Sequence, residues 1–326
     1  MIGILMLNFN MFQIKRNNIV FWMFSKINIK ILVTLICFVF LGNSIYGNYE
    51  SLSNQKITSQ EIYWLFGGII FSFLSIIINS YAWKLLIVNI GCDSTKLNIV
   101  KLFLSTNIYK YLPGGIWHFV SRYNTLRLKF STEKSIESIL LEPLLMLVAG
   151  FIFIPFGGFN ASIFILCWSS TLIFLPVFRK VLIRKLRTMK ATIFSNKDHL
   201  KDINLTQDNQ NISIKMYYPF KPLFVEIIFI LFRFVGFLCC TNAFSIGVFI
   251  SQAELISSFS LAWIIGLIVP AAPGGLGVFE SVILFSLGSH LPEGPLLASL
   301  LSYRLVSTIS DILAALIYPF KKIFRV

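Results

Sequence analysis

The feature that most constrains this chain is a series of apolar runs, each close to the length that crosses a bilayer, separated by segments rich in Lys and Arg. A helix needs about 20 residues to cross the hydrocarbon. Runs of that kind lie near 31–47, 62–83, 136–156, 161–178, 222–246 and 295–319. Hydrophobic residues make up 56% of the 326 and charged residues only 13%, more apolar surface than a water-soluble domain can hide. The fold class expected is all-α integral membrane, with about six transmembrane helices.

Two further apolar stretches fit no simple span. One is 102–121, broken by Pro113-Gly114-Gly115. The other is 254–289, two short arms joined by Pro270-Ala271-Ala272-Pro273-Gly274-Gly275. Pro and paired Gly interrupt helices. Free backbone at membrane depth persists only where it is buried in protein or faces a wet cavity. Both stretches therefore read as re-entrant or broken helices.

Charge placement orients the chain. With the N-terminus inside, the cytoplasmic segments 1–30, 84–135, 179–221 and 320–326 hold 4, 8, 10 and 3 Lys or Arg, 25 of the 28. That asymmetry predicts cytoplasmic termini in the cell inner (plasma) membrane. The expected organisation is a tail over 1–30, a transmembrane domain over 31–320 with a basic cytoplasmic loop at 179–221, and a tail over 321–326. The net charge of +14 then reflects anionic headgroups at the cytoplasmic face rather than nucleic acid. Cys37, Cys92, Cys167, Cys239 and Cys240 and the three His show no metal-ligand spacing, so no metal or cofactor is expected.

The two breaks resemble each other. Pro113-Gly114-Gly115-Ile116 is followed by Phe119 and Ser121, and Pro273-Gly274-Gly275-Leu276 by Phe279 and Ser281, 160 residues further on. Each copy occupies the same place in its half of the chain. An odd number of spans per half would set the halves in opposite orientations, the inverted repeat of many secondary transporters.

The segment Lys110-Tyr111-Leu112-Pro113-Gly114-Gly115-Ile116-Trp117-His118, with Arg122 after it, resembles a signature of the lysylphosphatidylglycerol synthase transmembrane (flippase-like) family. So does Pro270-Ala271-Ala272-Pro273-Gly274-Gly275-Leu276-Gly277-Val278-Phe279-Glu280. Tyr303-Arg304-Leu305 through Asp311 is similar to the family's last span, and Glu142 to an acidic position in the span after the first motif. One departure is Phe279, where the family often has Arg before the Glu. The resemblance implies a lipid flippase or transporter handling a phospholipid or polyprenyl-phosphate-linked lipid. It also implies a stand-alone member without the aminoacyl-transferase domain of the founding enzymes. The rivals are a membrane-embedded transferase acting on a lipid-linked sugar and a non-catalytic partner of a separate synthase or glycosyltransferase. No Walker loop, G-x-S-x-G or H-E-x-x-H motif points to a soluble enzyme.

Ionisable groups inside spans are costly and mark function or pairing. His118 and Arg122 stand one turn apart after the first break. Arg304, Thr308 and Asp311 share a face of the last span. His118, Arg122 and Arg304 are the expected headgroup ligands. Glu142, Arg233, Glu280 and Asp311 are expected in proton or ion-pair roles. The helix starts after Gly115 and Gly275 would offer free N–H groups to an anion, with Gly277 completing the second break. The same residues also suit an internal ion-pair network, with Arg304 set against Glu142 or Asp311. Glu226 shares a face with Arg233 but lies where water reaches the helix end. Trp64, Trp83, Trp117 and Tyr111 read as interfacial anchors.

Overall fold

The computed structural model describes residues 59–112, 115–158, 161–175, 218–269 and 277–317, with a few positions between 42 and 50. The expected first span, most of the loop 179–221, both tails, and Pro113, Gly114, Pro273, Gly274 and Gly275 lie outside the described residues. The described residues form α1 (Ser59–Asn89), α2 (Ile99–Asn107), α3 (Trp117–Leu126), α4 (Thr132–Phe151), α5 (Ala161–Ser169), α6 (Phe220–Ala243), α7 (Gln252–Ile268), α8 (Val278–Leu287) and α9 (Glu293–Ile317). Short 3-10 turns extend several of them.

Four of these, α1, α4, α6 and α9, are long and apolar enough to cross a membrane. They correspond to the expected spans at 62–83, 136–156, 222–246 and 295–319. The expected span at 161–178 differs. Its described part is nine α-helical residues of α5 and a 3-10 turn to Phe174, roughly 20 Å at helical rise. The two broken stretches each give two short helices. In the first, α2 and a 3-10 turn over Ile108–Tyr111 precede the break and α3 follows it. In the second, α7 precedes and α8 follows. The arms start on side-chain caps: Asn98 accepts from the Lys101 N–H at 3.0 Å, and Ser251 from the Glu254 N–H at 3.2 Å.

α1 and α6 form the central crossing, and small residues let them close on each other. A Cβ on Gly68 would meet the Gly236 carbonyl at 3.2 Å, and one on Gly236 would meet the Gly68 carbonyl at 3.3 Å. The register is antiparallel: Gly67 lies against Cys239, Gly68 against Gly236 and Phe71 against Phe232. Phe71 and Phe232, 5.9 Å apart between ring centroids, are almost one repeat offset apart in sequence. A residue on a two-fold axis touches its own counterpart. The sequence repeat and the helix crossing therefore place the same axis, perpendicular to the antiparallel pair.

The packing follows that axis. α2 lies against α9, and its counterpart α7 lies against α4; α1 packs on α9, and α6 on α4. Large apolar side chains stay exposed along α1 (Ile62, Phe66, Ile70) and α9 (Leu305, Ile309, Ile312, Leu316). The interior is mostly apolar too, and the buried Ser, Asn, Arg, Glu and Asp are set within it. Apolar side chains outside, with ionisable groups kept within the bundle, suit a protein whose outer solvent is lipid.

Candidate functional site

The two halves meet around a cavity with about 220 Å³ open to the centres of water-sized molecules. Lys110, His118, Arg122, Arg233 and Arg304 line it, together with Glu142 and Asp311. Its position follows from the breaks. The helices that flank the breaks, α2, α3, α7 and α8, each carry residues or pack on spans that line it.

Three ion pairs organise the wall. Arg122 on α3 is 1% exposed, and its Nη1 donates to both oxygens of Glu142 on α4 at 2.5 and 2.7 Å. Its Nε donates to Thr106 Oγ1 at 3.1 Å. The guanidinium lies 3.9 Å from the Phe103 ring centroid and 5.0 Å from that of Trp83. In the second half, Arg304 Nε on α9 donates to Glu280 Oε1 on α8 at 2.7 Å. These pairs occupy the same place in the two halves, second hairpin arm to following span, with acid and base exchanged. The third pair crosses between halves. Asp311 on α9 is fully buried and accepts from Asn107 Nδ2 at 2.8 Å, Tyr111 OH at 2.6 Å and Lys110 Nζ at 2.8 Å.

Several expectations change. Arg304 takes Glu280, and neither Glu142 nor Asp311, because Glu142 is saturated by Arg122 and Asp311 by the end of α2. Arg122 lines the cavity with its Nη1 already given to a carboxylate. The N-terminus of α8 offers no vacant anion site: Gly277, at φ 83°, donates its N–H to Glu280 Oε2 at 2.8 Å, so the chain's own carboxylate fills the place. Trp83 is 1% exposed in the core rather than at an interface, because it covers the Arg122 guanidinium. Tyr111 serves Asp311, while Trp64 and Trp117 are exposed. Glu226 is 2% exposed and not wet, because α6 is packed on both sides up to that turn.

Arg233 is the departure that matters most. It is 4% exposed, lines the cavity, and its Nη2 donates to Ser307 Oγ at 2.7 Å. Its Nε and Nη1 are buried without a hydrogen-bond acceptor, and among the described residues no carboxylate pairs with it. The Trp263 ring lies 5.6 Å from its guanidinium. The Nδ1 of His118 and the hydroxyl of Tyr303, which also line the cavity, are buried and unpartnered as well. Four cations (Lys110, Arg122, Arg233, Arg304) thus meet three carboxylates (Glu142, Glu280, Asp311), and the surplus charge and the spare donors face one space. Sequence reasoning missed Asn107, Lys110, Tyr303 and Ser307. Asn107, Lys110 and Tyr111 recur at helical spacing just before the break, which was the available signal.

Opposed broken helices around a buried, net-basic chamber define a multi-pass membrane protein with a polar chamber inside its bundle. Within that class, the sequence profile of the lysylphosphatidylglycerol synthase TM region matches residues 27–315, and the chain belongs to that family. The resemblance carried by the paired Pro-Gly-Gly motifs is thereby borne out. No curated protein sequence matches the chain.

Proposed function

We propose that this protein is a lipid transporter of the flippase type, which holds the anionic headgroup of a phospholipid or polyprenyl-phosphate-linked lipid in its central cavity while the acyl or prenyl tails stay in the bilayer. The observation that carries this reading is Arg233: a buried guanidinium with two free nitrogens and no carboxylate, facing a cavity inside a membrane bundle. A charge left unpaired in such a place is expensive unless a ligand completes it. A phosphate oxygen suits a guanidinium fork, with His118 and Tyr303 able to add contacts. Glu142, Glu280 and Asp311 are each held by a cation, which fits a binding chamber better than a set of carboxylates poised as general bases. The proposal includes the plasma membrane as location, with the basic segments at its cytoplasmic face.

The test is lipid analysis of the protein purified in a mild detergent, followed by a flip assay in vesicles with the lipid found. Anionic lipid is expected to co-purify. Arg233→Gln should lower its retention about tenfold or more, from the loss of a charge-assisted hydrogen bond. Unchanged retention and flipping in Arg233→Gln would remove the basis of the reading.

A further inference from the structure

The cavity wall does not use Glu226, although it is one of the most costly groups in the molecule. Its side chain is 2% exposed, makes no hydrogen bond or ion pair among the described residues, and has Oε1 fully buried without a partner. It stands seven residues before Arg233, on the same buried face of α6. The antiparallel register of α1 and α6 places Asn79, eight residues beyond Phe71, level with the turn that carries Glu226. Asn79 lines the cavity, is buried, and its Oδ1 also lacks a donor. Two buried oxygens at one level, both short of a hydrogen, describe a site from which a proton is missing. An ionised Glu226 would leave both unsatisfied. A protonated one carries no charge to be stranded and becomes a hydrogen-bond donor.

The surrounding charges agree. From α4 the ionisable group facing Glu226 is Glu142, whose oxygens both lie on Arg122. α1 brings the neutral amide of Asn79 to that level, and its Lys84 lies over a turn further along, turned to the Tyr81 ring. α9 and α7 meet α6 further on, at Arg233, through Ser307 and Trp263. Lys221 sits at the exposed start of α6. Glu142 thus has a cation and Glu226 has none among the described residues, so an ionised Glu226 would be a stranded charge beside a second carboxylate.

We infer that Glu226 is a proton-binding site beside the cavity, whose protonation and the binding of an anionic headgroup favour each other. The inference rests on the headgroup reading above and deepens it by naming the coupled ion. Its sign follows from electrostatics. An ionised Glu226 beside the cavity repels the headgroup, whereas a protonated one does not. By linkage, the bound headgroup raises the protein's affinity for that proton by the same factor. Headgroup affinity is therefore greatest at low pH and falls as pH rises through the titration of Glu226.

The experiment has two readouts on the same purified protein. The first is infrared spectroscopy without lipid. A carboxylic-acid C=O band is expected in the wild type, absent in Glu226→Gln and shifted in Glu226→Asp, which keeps the acid if the Gln variant does not fold. The second is binding of phosphatidylglycerol in nanodiscs across pH. Affinity is expected to fall by about tenfold as pH rises, a usual size for coupling between two sites. Glu226→Gln should stay at the low-pH level throughout. A band unchanged in both variants overturns the proton site. Wild-type affinity independent of pH overturns the coupling while leaving the headgroup reading standing. No anionic lipid bound at any pH, with the band still assigned to Glu226, overturns the headgroup reading and the coupling built on it.

Discussion

Glu142→Ala isolates the most buried ion pair in the molecule. It removes the carboxylate that takes both hydrogen bonds from Arg122 Nη1 and leaves a guanidinium that is 1% exposed. What remains for that charge is Thr106 Oγ1 and the faces of Phe103 and Trp83. Breaking such a pair costs about 3–5 kcal/mol, most of it the stranded charge rather than the lost bond. Replacing both partners, Arg122→Met with Glu142→Leu, strands nothing and should recover all but ~1–2 kcal/mol. The corresponding pair in the other half gives an internal control. Arg304 has a side chain 20% exposed, so Glu280→Ala should cost about 1–3 kcal/mol, the range for a buried group left with water within reach. The measurement is reversible unfolding by SDS titration in mixed micelles, on these three variants and on the single changes Arg122→Met and Glu142→Leu. A Glu142→Ala cost below ~1 kcal/mol, or a double mutant as unstable as the two single changes together, would refute the view that pairing governs these charges.

Gly236→Leu should destabilise by about 1–3 kcal/mol or misassemble, because its side chain would enter the Gly68–Ser72 surface of α1 where backbone approaches backbone; the same SDS titration reads it, with Gly266→Leu, which has open space around its Cβ position, as the control. In the connection between α1 and α2, the Thr95 N–H and hydroxyl both donate to Asp93 Oδ1 and hold its carboxyl below the ordinary range. Because that value is lowered in the fold, the stabilisation is present above the ordinary carboxylate range and is lost as pH falls through the lowered value. Hydrogen-exchange protection at Thr95 should fall in acid, and Asp93→Asn should abolish that dependence.

The sequence disclosed the bundle and the breaks because their causes are local. Some 20 apolar residues specify a span, and Pro with paired Gly specifies an interruption, whatever surrounds them. The pairings were not legible, because they depend on which helix faces which across the bundle. Glu226 and Arg233 share a helical face, and their spacing showed that much. Yet each looks at a different neighbour, Glu142 in one case and Ser307 in the other. Trp83 shows the same limit. A Trp near the end of a long apolar run reads as an anchor until a guanidinium is found beneath its ring.

The repeat explains why the charges misled. A motif comparison aligns like with like, and it paired the two Pro-Gly-Gly breaks. The ion pairs beside them are equivalent in position and opposite in polarity: Arg122 on the arm with Glu142 on the span in one half, Glu280 on the arm with Arg304 on the span in the other. Each pair is internally neutral, so exchanging acid and base leaves the hairpin-to-span lock intact and erases the residue identity by which a sequence comparison would find it. The exchange also has a local cause. On α8 the acid falls three residues after Gly277 and caps its own helix, a place that suits a carboxylate and not a guanidinium. On α3 the base falls six residues after Ile116, beyond the first turn and against two aromatic faces, a place that suits a guanidinium. With both locks neutral and Asp311 matched to Lys110, the charge of the chamber reduces to Arg233, which has no acidic counterpart one repeat away: the equivalent position on α1 is Phe73. The symmetry of the fold therefore supplies the scaffold, and Arg233 is one of the places where charge departs from it, as Glu226, Lys110 and Asp311 also do.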